Sequence, residues 1–346
     1  MPAVWLPYGS TSISIRVDPE DLAWVAPGGL STDYAGLLPA LRSSLRELTR
    51  SGSVLLADPT LPPVVKDFLK EVFSGSLREL VSFDLLNQDS KTGYSFQSAC
   101  LLSCPHPDPL IGFRGLGENL FQFYPELWKE FTARFLEAAG SGRKIDLKPY
   151  LNMLCSSISL RLVTLTPLAG GQGVLKESSP IEAYEALVNL QSGFMFSTKK
   201  PVEILLISAG GSPFDDSLSR AMCVLPNCLQ DAACDRVILA VEGLNGLGLP
   251  PDIIAGEDAE SKMPLITKYI GFCKSLLKGR TVHVVSAIPG SLLNTMLDCR
   301  AHDTLLDAYR ASRLFIPKGS KMGIVPCASY TVLRIESPEK GDSIST

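Results

Sequence analysis

The sequence predicts an α/β protein of two domains, with mainly parallel sheets that carry helices on both faces. Two observations lead to this prediction. The chain has 346 residues, of which 45% are hydrophobic, and single cores stop growing at roughly 250 to 300 residues. Short apolar runs also alternate with segments of helical spacing along the chain, as they do in proteins whose strands pair in parallel.

The first cycle of this alternation follows an opening segment, 1–17, whose side chains alternate as in a strand. Leucines recur at helical spacing between Leu37 and Leu48, and Gly52 is expected to close that helix. Residues 54–57 then form a short buried strand, which leaves Asp58 at its carboxyl end. In open α/β sheets, ligands bind at that edge.

Further cycles follow in the second half of the chain. Residues 203–211 are predicted to form a strand and a glycine turn, and the next segment, 212–233, a helix. A strand that ends in a loop is expected at 235–248, a helix and a strand at 268–288, and one more cycle at 305–317.

The domain boundary is placed after an aromatic-rich amphipathic segment, 118–144, which a Gly/Ser turn at 140–142 ends. We therefore expect an N-terminal domain over residues 1–142, a C-terminal α/β domain over 143–338 and a flexible tail over 339–346. The aromatic residues are expected to pack in the core or between the domains, because no basic groove accompanies them.

Charge and composition narrow the class of function. The formal net charge is −4, from 32 basic and 36 acidic residues, and no basic cluster marks a nucleic-acid surface. Apolar runs stay shorter than the roughly 18 to 20 residues that span a bilayer, so no membrane segment is expected. The nine cysteines, an odd number without a secretory signal, are expected to be mostly free thiols in the cytoplasm.

A glycine turn follows the predicted strand at 203–211. In the stretch AGGSPFDDSL, the amide groups of Gly210 and Gly211 are placed to cradle an anion at the start of a helix, beside Asp215. The alternative is that Asp215 caps the helix.

Two other strand ends carry candidate ligand groups. The stretch VEGLNGLG places Glu242, Gly246 and Gly248 after the next strand, where glycines either permit close backbone approach to a ligand or turn the chain. The stretch DPTLPP places Asp58 and Thr60 before a helix. Asp58 either orients a substrate hydroxyl or caps that helix.

The three histidines are expected in different environments. His283 alternates within a hydrophobic strand and is predicted to be a core residue, whereas His302 is predicted to lie on the surface at the start of a helix. His106 precedes a run with three glycines in six residues. No histidine has a metal-binding partner close in sequence, so no metal ligand is predicted.

Five blocks in a fixed order carry a resemblance to a known family. They are LPYG (6–9), LRELTRSGSVLLADPTLPP (45–63), PHPDPLIGFRG (105–115), SAGGSPFDDSL (208–218) and VEGLNGLG (241–248). In this order they resemble the nickel-dependent lactate racemases. The resemblance implies a site in a cleft between two α/β domains. It also implies a nickel pincer nucleotide, tethered through a lysine, that takes a hydride from a 2-hydroxy acid and returns it, with two histidines as acid and base.

Residue by residue, the resemblance assigns some roles and leaves others empty. Asp58 matches the acid of the family's Asp-x-Thr-Arg-Pro signature, but Leu61 replaces the arginine that binds the substrate carboxylate. His106 matches one acid/base histidine. Glu118 or Asn119 stands near the position of the tethering lysine.

Further positions also differ. Arg220 and Cys223 stand where the family has a glutamine and a lysine, and Arg220 retains the charge to bind an anion. No histidine corresponds to the second acid/base residue or, in the stretch LWKEFTARF (127–135), to the metal ligand.

Three functions follow as hypotheses. The first is a catalytically degenerate homologue that binds a small anionic ligand, a 2-hydroxy acid or a nucleotide, in the cleft. The second is an active racemase or epimerase of 2-hydroxy acids with an altered site, and the third is a scaffold or regulatory partner, in an oligomer or with an active paralogue. The candidate residues are His106 and Asp58 for catalysis, and Thr60, Gly210, Gly211, Asp215, Arg220, Glu242, Gly246 and Gly248 for ligand binding.

Overall fold

A computed structural model describes residues 3–27, 34–50, 53–73, 77–79, 97–167, 173–249 and 264–336. The strands are β1 (Ala3–Tyr8), β2 (Thr11–Arg16), β3 (Leu22–Val25), β4 (Val54–Ala57), β5 (Leu77–Glu79), β6 (Ser98–Ser103), β7 (His106–Asp108), β8 (Gly112–Arg114), β9 (Ser159–Pro167), β10 (Gly173–Ser178), β11 (Met195–Thr198), β12 (Ile204–Ser208), β13 (Arg236–Ala240), β14 (Thr281–Val285), β15 (Arg300–His302), β16 (Met322–Val325) and β17 (Val332–Ile335). The α-helices are α1 (Tyr34–Arg50), α2 (Pro63–Phe73), α3 (Pro125–Ser141), α4 (Lys148–Ser157), α5 (Pro180–Asn189), α6 (Leu218–Val224), α7 (Pro226–Leu229), α8 (Pro264–Leu277), α9 (Gly290–Leu297) and α10 (Leu305–Arg313).

The first sheet has five strands in the order β10-β9-β6-β4-β5, and only the β9–β10 pair is antiparallel. Side chains of α1 and α2, among them Leu41 and Leu69, pack on one face of this sheet against Leu55 and Leu102. The alternation of side chains along each strand sends the next residues, such as Leu56, to the opposite face.

The second sheet has six parallel strands in the order β15-β14-β13-β12-β16-β3. One face is covered by the β1–β2 pair and by α10, which contribute Leu6, Ile15 and Leu305 to a buried cluster. The other face packs against α6, α8 and α9. Because both faces are covered, the central strands are nearly continuous apolar runs, and all five residues of Ile204–Ser208 are buried.

One hydrophobic core joins the two sheets. It contains Leu56 and Leu101 from the first sheet and Leu205, Val237 and Val284 from the second. Buried apolar area of this kind is the largest favourable contribution to folding, so the two sheets stabilise each other.

A buried ion pair in the β7–β8 hairpin also contacts α8, a helix that packs on the second sheet. Arg114 Nε lies 2.5 Å from Asp108 Oδ2 within the β7–β8 hairpin. Tyr269 of α8 donates its hydroxyl to the same carboxylate oxygen at 3.3 Å, and the Arg114 guanidinium carbon lies 4.9 Å from the centre of the Tyr269 ring. The hairpin is thereby fixed against a helix of the second sheet.

The predicted fold class is confirmed, since the sheets are mainly parallel and carry helices. The opening segment differs from the prediction, because it forms two antiparallel strands that turn at Gly9, whose φ is +57°. The helix predicted over 212–233 begins only at Leu218 and is interrupted before Pro226, which lacks an N–H group to continue the helical hydrogen bonds. Gly52 and residues 339–346 lie outside the described residues.

The sheets do not divide the chain at residue 142. Strands β9 and β10 follow that position and extend the first sheet, whereas β3 precedes it and closes the second. The sheet of the N-terminal part therefore extends to Ser178, and the limits of independently folding domains stay a prediction. Within the described ranges, no helix combines the length and the apolar character needed to cross a bilayer.

Candidate functional site

A cavity of about 320 Å³ lies where strand ends of both sheets meet, and we call it the central cavity. Thr60 follows β4 of the first sheet, whereas Gly210 and Cys327 follow β12 and β16 of the second. All three positions are carboxyl ends of parallel strands, which is where α/β proteins bind ligands. The volume suits a small organic molecule.

Aromatic rings dominate the wall of the central cavity. They belong to Trp5 on the β1–β2 pair, Tyr34 at the start of α1, Phe214 after β12 and Tyr330 after β16. The rings of Phe214 and Tyr330 pack edge to face, with their centres 5.6 Å apart. None of these four residues was predicted from the sequence, because each lies on a different chain segment.

The Gly210–Gly211 turn is required by close packing. Both residues have positive φ, +115° and +78°. A Cβ atom on Gly210 would lie 2.4 Å from Ser329 Oγ and 2.7 Å from Cys327 Sγ, and one on Gly211 would lie 3.0 Å from the Gly9 carbonyl oxygen. Gly210 thus lines the cavity with backbone, while Gly211 lets the β1–β2 turn approach.

Of the amides predicted to cradle an anion before α6, that of Gly210 donates to Ser208 Oγ at 3.2 Å. The amide groups of Leu218 and Ser219 donate to the carbonyl oxygens of Gly246 and Leu247, both at 3.0 Å. A Cβ atom on Gly248 would lie 2.4 Å from Ser217 Oγ. The glycines of VEGLNGLG therefore turn the chain to cap a helix, and neither Gly246 nor Gly248 lines the central cavity.

Asp215 fixes the β1–β2 turn to the second sheet. Its Oδ2 accepts a hydrogen bond from the Gly9 amide at 2.7 Å. Burial raises the pKa of Asp215 to about 6, although hydrogen bonding to the Gly9 amide acts in the opposite direction. The Glu242 carboxylate lies against Gly9, at the place a Cβ atom would occupy. Asp215 and Glu242 thus hold the wall of the cavity rather than line it.

Arg220 lies behind the cavity wall. Its Nη1 is 3.7 Å from Asp216 Oδ2 and donates to the Pro213 carbonyl oxygen at 3.3 Å. Pro213 lines the cavity and Arg220 does not. The guanidinium group therefore contacts protein groups outside the described lining, and its role in binding an anion stays a prediction.

Asp58 and Thr60 form a compact turn after β4. Thr60 donates to Asp58 Oδ1 through both its amide (2.8 Å) and its hydroxyl (2.5 Å), and Asn119 Nδ2 lies 3.3 Å from Oδ2. Asp58 is 2% exposed, and burial raises its pKa. Thr60 lines the cavity, whereas Asp58 supports it from behind.

Glu118, near the position where the resemblance implies a tethering lysine, closes the glycine-rich turn. Its two carboxylate oxygens accept hydrogen bonds from the amides of Gly115 (2.8 Å) and Leu116 (2.9 Å). Burial and the nearby Asp58 raise the pKa of Glu118 to about 7. The stretch from Ser103 to Asn119 therefore forms a hairpin and a turn, and the Glu118 carboxylate accepts hydrogen bonds from amides of that turn.

His106 is buried beside the central cavity without lining it. Its ring lies 5.0 Å from that of Phe214 and 6.5 Å from that of Tyr330, both edge to face. Its Nδ1 is buried and has no hydrogen-bond partner among the described residues. Burial, with Arg114 nearby, lowers the pKa of His106 to about 4. His106 is neutral at pH 7 and has no face open to the cavity.

The described residues around the central cavity do not fit a tethered nickel pincer nucleotide. The lining of the central cavity, as far as the structure describes it, contains neither lysine nor histidine. In the described parts of the chain, no three or more His, Cys, Asp or Glu side chains gather in an arrangement that could hold a metal ion. The one soft ligand in the lining, the thiol of Cys327, is 3.3 Å from Ser329 Oγ, and burial raises its pKa.

Comparisons with known proteins support the fold alone. No protein-family model and no curated protein matches the sequence. Among solved structures, the chain is similar to the lactate racemase apoprotein from Thermoanaerobacterium thermosaccharolyticum, with a TM-score of 0.62. The match covers 96% of this chain and 100% of that one at 12% sequence identity. The architecture therefore resembles that of the lactate racemase apoprotein over most of the chain.

Proposed function

We propose that this protein is a non-catalytic small-molecule-binding protein built on the lactate racemase-like fold, with its ligand in the central cavity. One observation carries the proposal. The cavity lies at the strand ends of both sheets, yet the only candidate acid/base histidine, His106, is buried behind two of its aromatic walls.

Loss of catalysis follows from the chemistry of the remaining groups. Proton transfer requires an acid or base within hydrogen-bond reach of the substrate. Asp58 is engaged with Thr60 and Asn119, and Glu118 with two backbone amides. Asp58, which the resemblance assigns to catalysis, and Glu118, which stands near the tethering position, thus form hydrogen bonds within the protein itself.

The experiment combines a test of activity with a test of binding. The chain is expressed together with the enzymes that make the nickel pincer nucleotide, and its intact mass, nickel content and racemisation of each lactate enantiomer are measured. We expect an unmodified mass, no bound nickel and no racemisation. A cofactor adduct together with racemisation overturns the non-catalytic assignment.

Binding is measured as a rise in melting temperature with a library of small molecules, since any ligand that prefers the native state stabilises it. Ser12 is an exposed residue of β2 that lines the cavity, so Ser12→Trp is expected to block the entrance and abolish the rise. Ser159→Trp, at an exposed position at the amino end of β9 and outside the lining, is the control and is expected to retain it. Equal shifts in both variants place the ligand elsewhere and contradict the proposal.

A further inference from the structure

The hydroxyl groups of the central cavity's aromatic wall are directed at one buried thiol. Tyr330 Oη lies 3.0 Å from Cys104 Sγ, and Tyr34 Oη lies 3.4 Å from the same sulfur. Cys104 is fully buried and does not line the cavity. Because their hydroxyl groups face Cys104, these two tyrosines offer mainly their rings to a ligand.

Other polar groups of the lining are used in the same way. Thr60 donates its hydroxyl to Asp58 at 2.5 Å, and the Cys327 thiol lies beside Ser329. Pro7, Pro62 and Pro213 add further apolar rings to the wall. The lining thus combines flat aromatic and pyrrolidine surfaces, which pack well against a planar ring.

No charged side chain belongs to the described lining of the central cavity. Two acids of the described chain adjoin lining residues: Asp58, bonded to Thr60, and Asp215, next to Phe214 in sequence. Arg220, the cation behind the wall, contacts Asp216 and the Pro213 carbonyl. A carboxylate that entered this cavity would lose water without gaining a paired cation, which is costly.

On the basis of the proposed function, we infer that the ligand of the central cavity is an uncharged compound with a planar aromatic or heteroaromatic ring. A small anionic ligand, the 2-hydroxy acid or nucleotide predicted from the sequence, does not match this lining. The ring stacks among Trp5, Tyr34, Phe214 and Tyr330, and the exposed and half-buried hydroxyls of Ser12 and Ser212 remain near the mouth to bond a polar substituent.

Three probes that share one ring and differ in charge test this inference: benzamide, benzoate and benzamidine. Lactate is added as a small hydroxy acid. Dissociation constants are measured by ligand-observed NMR at pH 7. We expect benzamide to bind at least about tenfold more tightly than benzoate and lactate, because a charged probe loses hydration without a partner. We expect it to bind more tightly than benzamidine for the same reason.

Two variants locate the binding site. Ser12→Trp is expected to weaken benzamide binding at least about tenfold, the equivalent of about 1.4 kcal/mol. Trp5→Ala removes a ring that is 64% exposed, so folding is expected to tolerate it, and it should weaken benzamide by about three- to tenfold. Ser159→Trp should leave the constant unchanged.

The outcomes separate the two proposals. Tighter binding of benzoate, lactate or benzamidine that Ser12→Trp abolishes overturns the uncharged-ring inference and retains the proposed function. Binding of benzamide that neither variant affects overturns the inference as well, because the ring then lies outside the central cavity. No binding of any probe at millimolar concentration, and no hit in the thermal library, overturns both.

Discussion

His283 Nδ1 lies 2.9 Å from His302 Nε2, and the two rings stack with their centres 5.1 Å apart. Strand pairing explains the contact. His302, at the end of β15, pairs with Val285 of β14, and His283 lies two residues before Val285, so its side chain is on the same face of the sheet. The prediction that His283 is a core residue is confirmed, since it is fully buried. The prediction that His302 begins a helix is wrong, because the helix starts at Leu305.

This histidine pair is expected to make the protein lose stability in acid. Burial, with His302 and the nearby Arg300 and Arg236, lowers the pKa of His283 to about 4, and burial also lowers the pKa of His302. The folded state therefore binds fewer protons than the unfolded state. The stability that this provides is complete above the usual histidine pKa, about 6.5, and is lost as the pH falls towards 4.

Urea unfolding at several pH values measures this effect. His283→Gln should flatten the decline in unfolding free energy between about pH 6.5 and 4 by about 1 to 2 kcal/mol. His302→Gln should flatten it less, because Asp303 and Asp307 partly offset the shift at that residue. If the unfolding free energy declines equally in the wild type and in His283→Gln, His283 does not cause the loss of stability in acid.

Glu118 is expected to produce the opposite trend. Its pKa is raised to about 7, so the folded state binds a proton that the unfolded state releases near pH 4.5. The corresponding stability is present below pH 4.5 and is lost as the pH rises through about 7. Glu118→Gln should therefore be more destabilising at pH 5 than at pH 8, by about 2 to 3 kcal/mol in unfolding free energy. A pH-independent cost shows that the carboxyl group is ionised throughout.

Two glycines of one loop should respond differently to alanine. Gly248 has φ +73°, and a Cβ atom there would lie 2.4 and 2.5 Å from two serine hydroxyls, whereas Gly246, with φ +64°, has nothing within 4 Å of that position. We expect Gly248→Ala to cost about 2 to 4 kcal/mol and Gly246→Ala only about 1 kcal/mol, the cost of the backbone conformation. Chemical denaturation measures both. Equal costs mean that the serines move aside freely.

Removal of the Asp215 carboxylate should loosen the β1–β2 pair. Asp215→Ala leaves the Gly9 amide without its acceptor, which costs about 1 to 3 kcal/mol. Hydrogen exchange should then accelerate in residues 3–16, and binding in the central cavity should weaken because Trp5, Pro7 and Ser12 lie on this pair. Asp216→Ala, at a half-buried neighbour, serves as the control. Unchanged exchange in Asp215→Ala contradicts this role.

The edge of the sheets that carries the cavity could be predicted from the sequence, because strand ends follow from local patterns. Thr60 and Gly210 were selected in this way, and both line the cavity. The roles of individual groups could not be predicted. The partners of the Leu218 and Ser219 amides lie in a loop about 28 residues further along, and only the tertiary structure shows that this loop satisfies them.

The aromatic wall was missed for a related reason. Tyr34, Cys104 and Tyr330 are 70 and 226 residues apart, and nothing in the local sequence of any of them indicates that they meet. Resemblance by motif located Asp58 and His106, but burial decides what those side chains do. His106 keeps its place in the sequence pattern and is nevertheless enclosed by Phe214 and Tyr330.

The hydrophobic core shared by the two sheets has a consequence for cooperativity. Leu56 and Leu101 of one sheet and Leu205 and Val237 of the other belong to the same buried cluster, so neither sheet can open without exposing the apolar surface of its neighbour. We expect the slowest-exchanging amides of both sheets to share one opening free energy, as in a single foldon. A chain cut after residue 142 would then leave two fragments that remain unfolded until they are mixed.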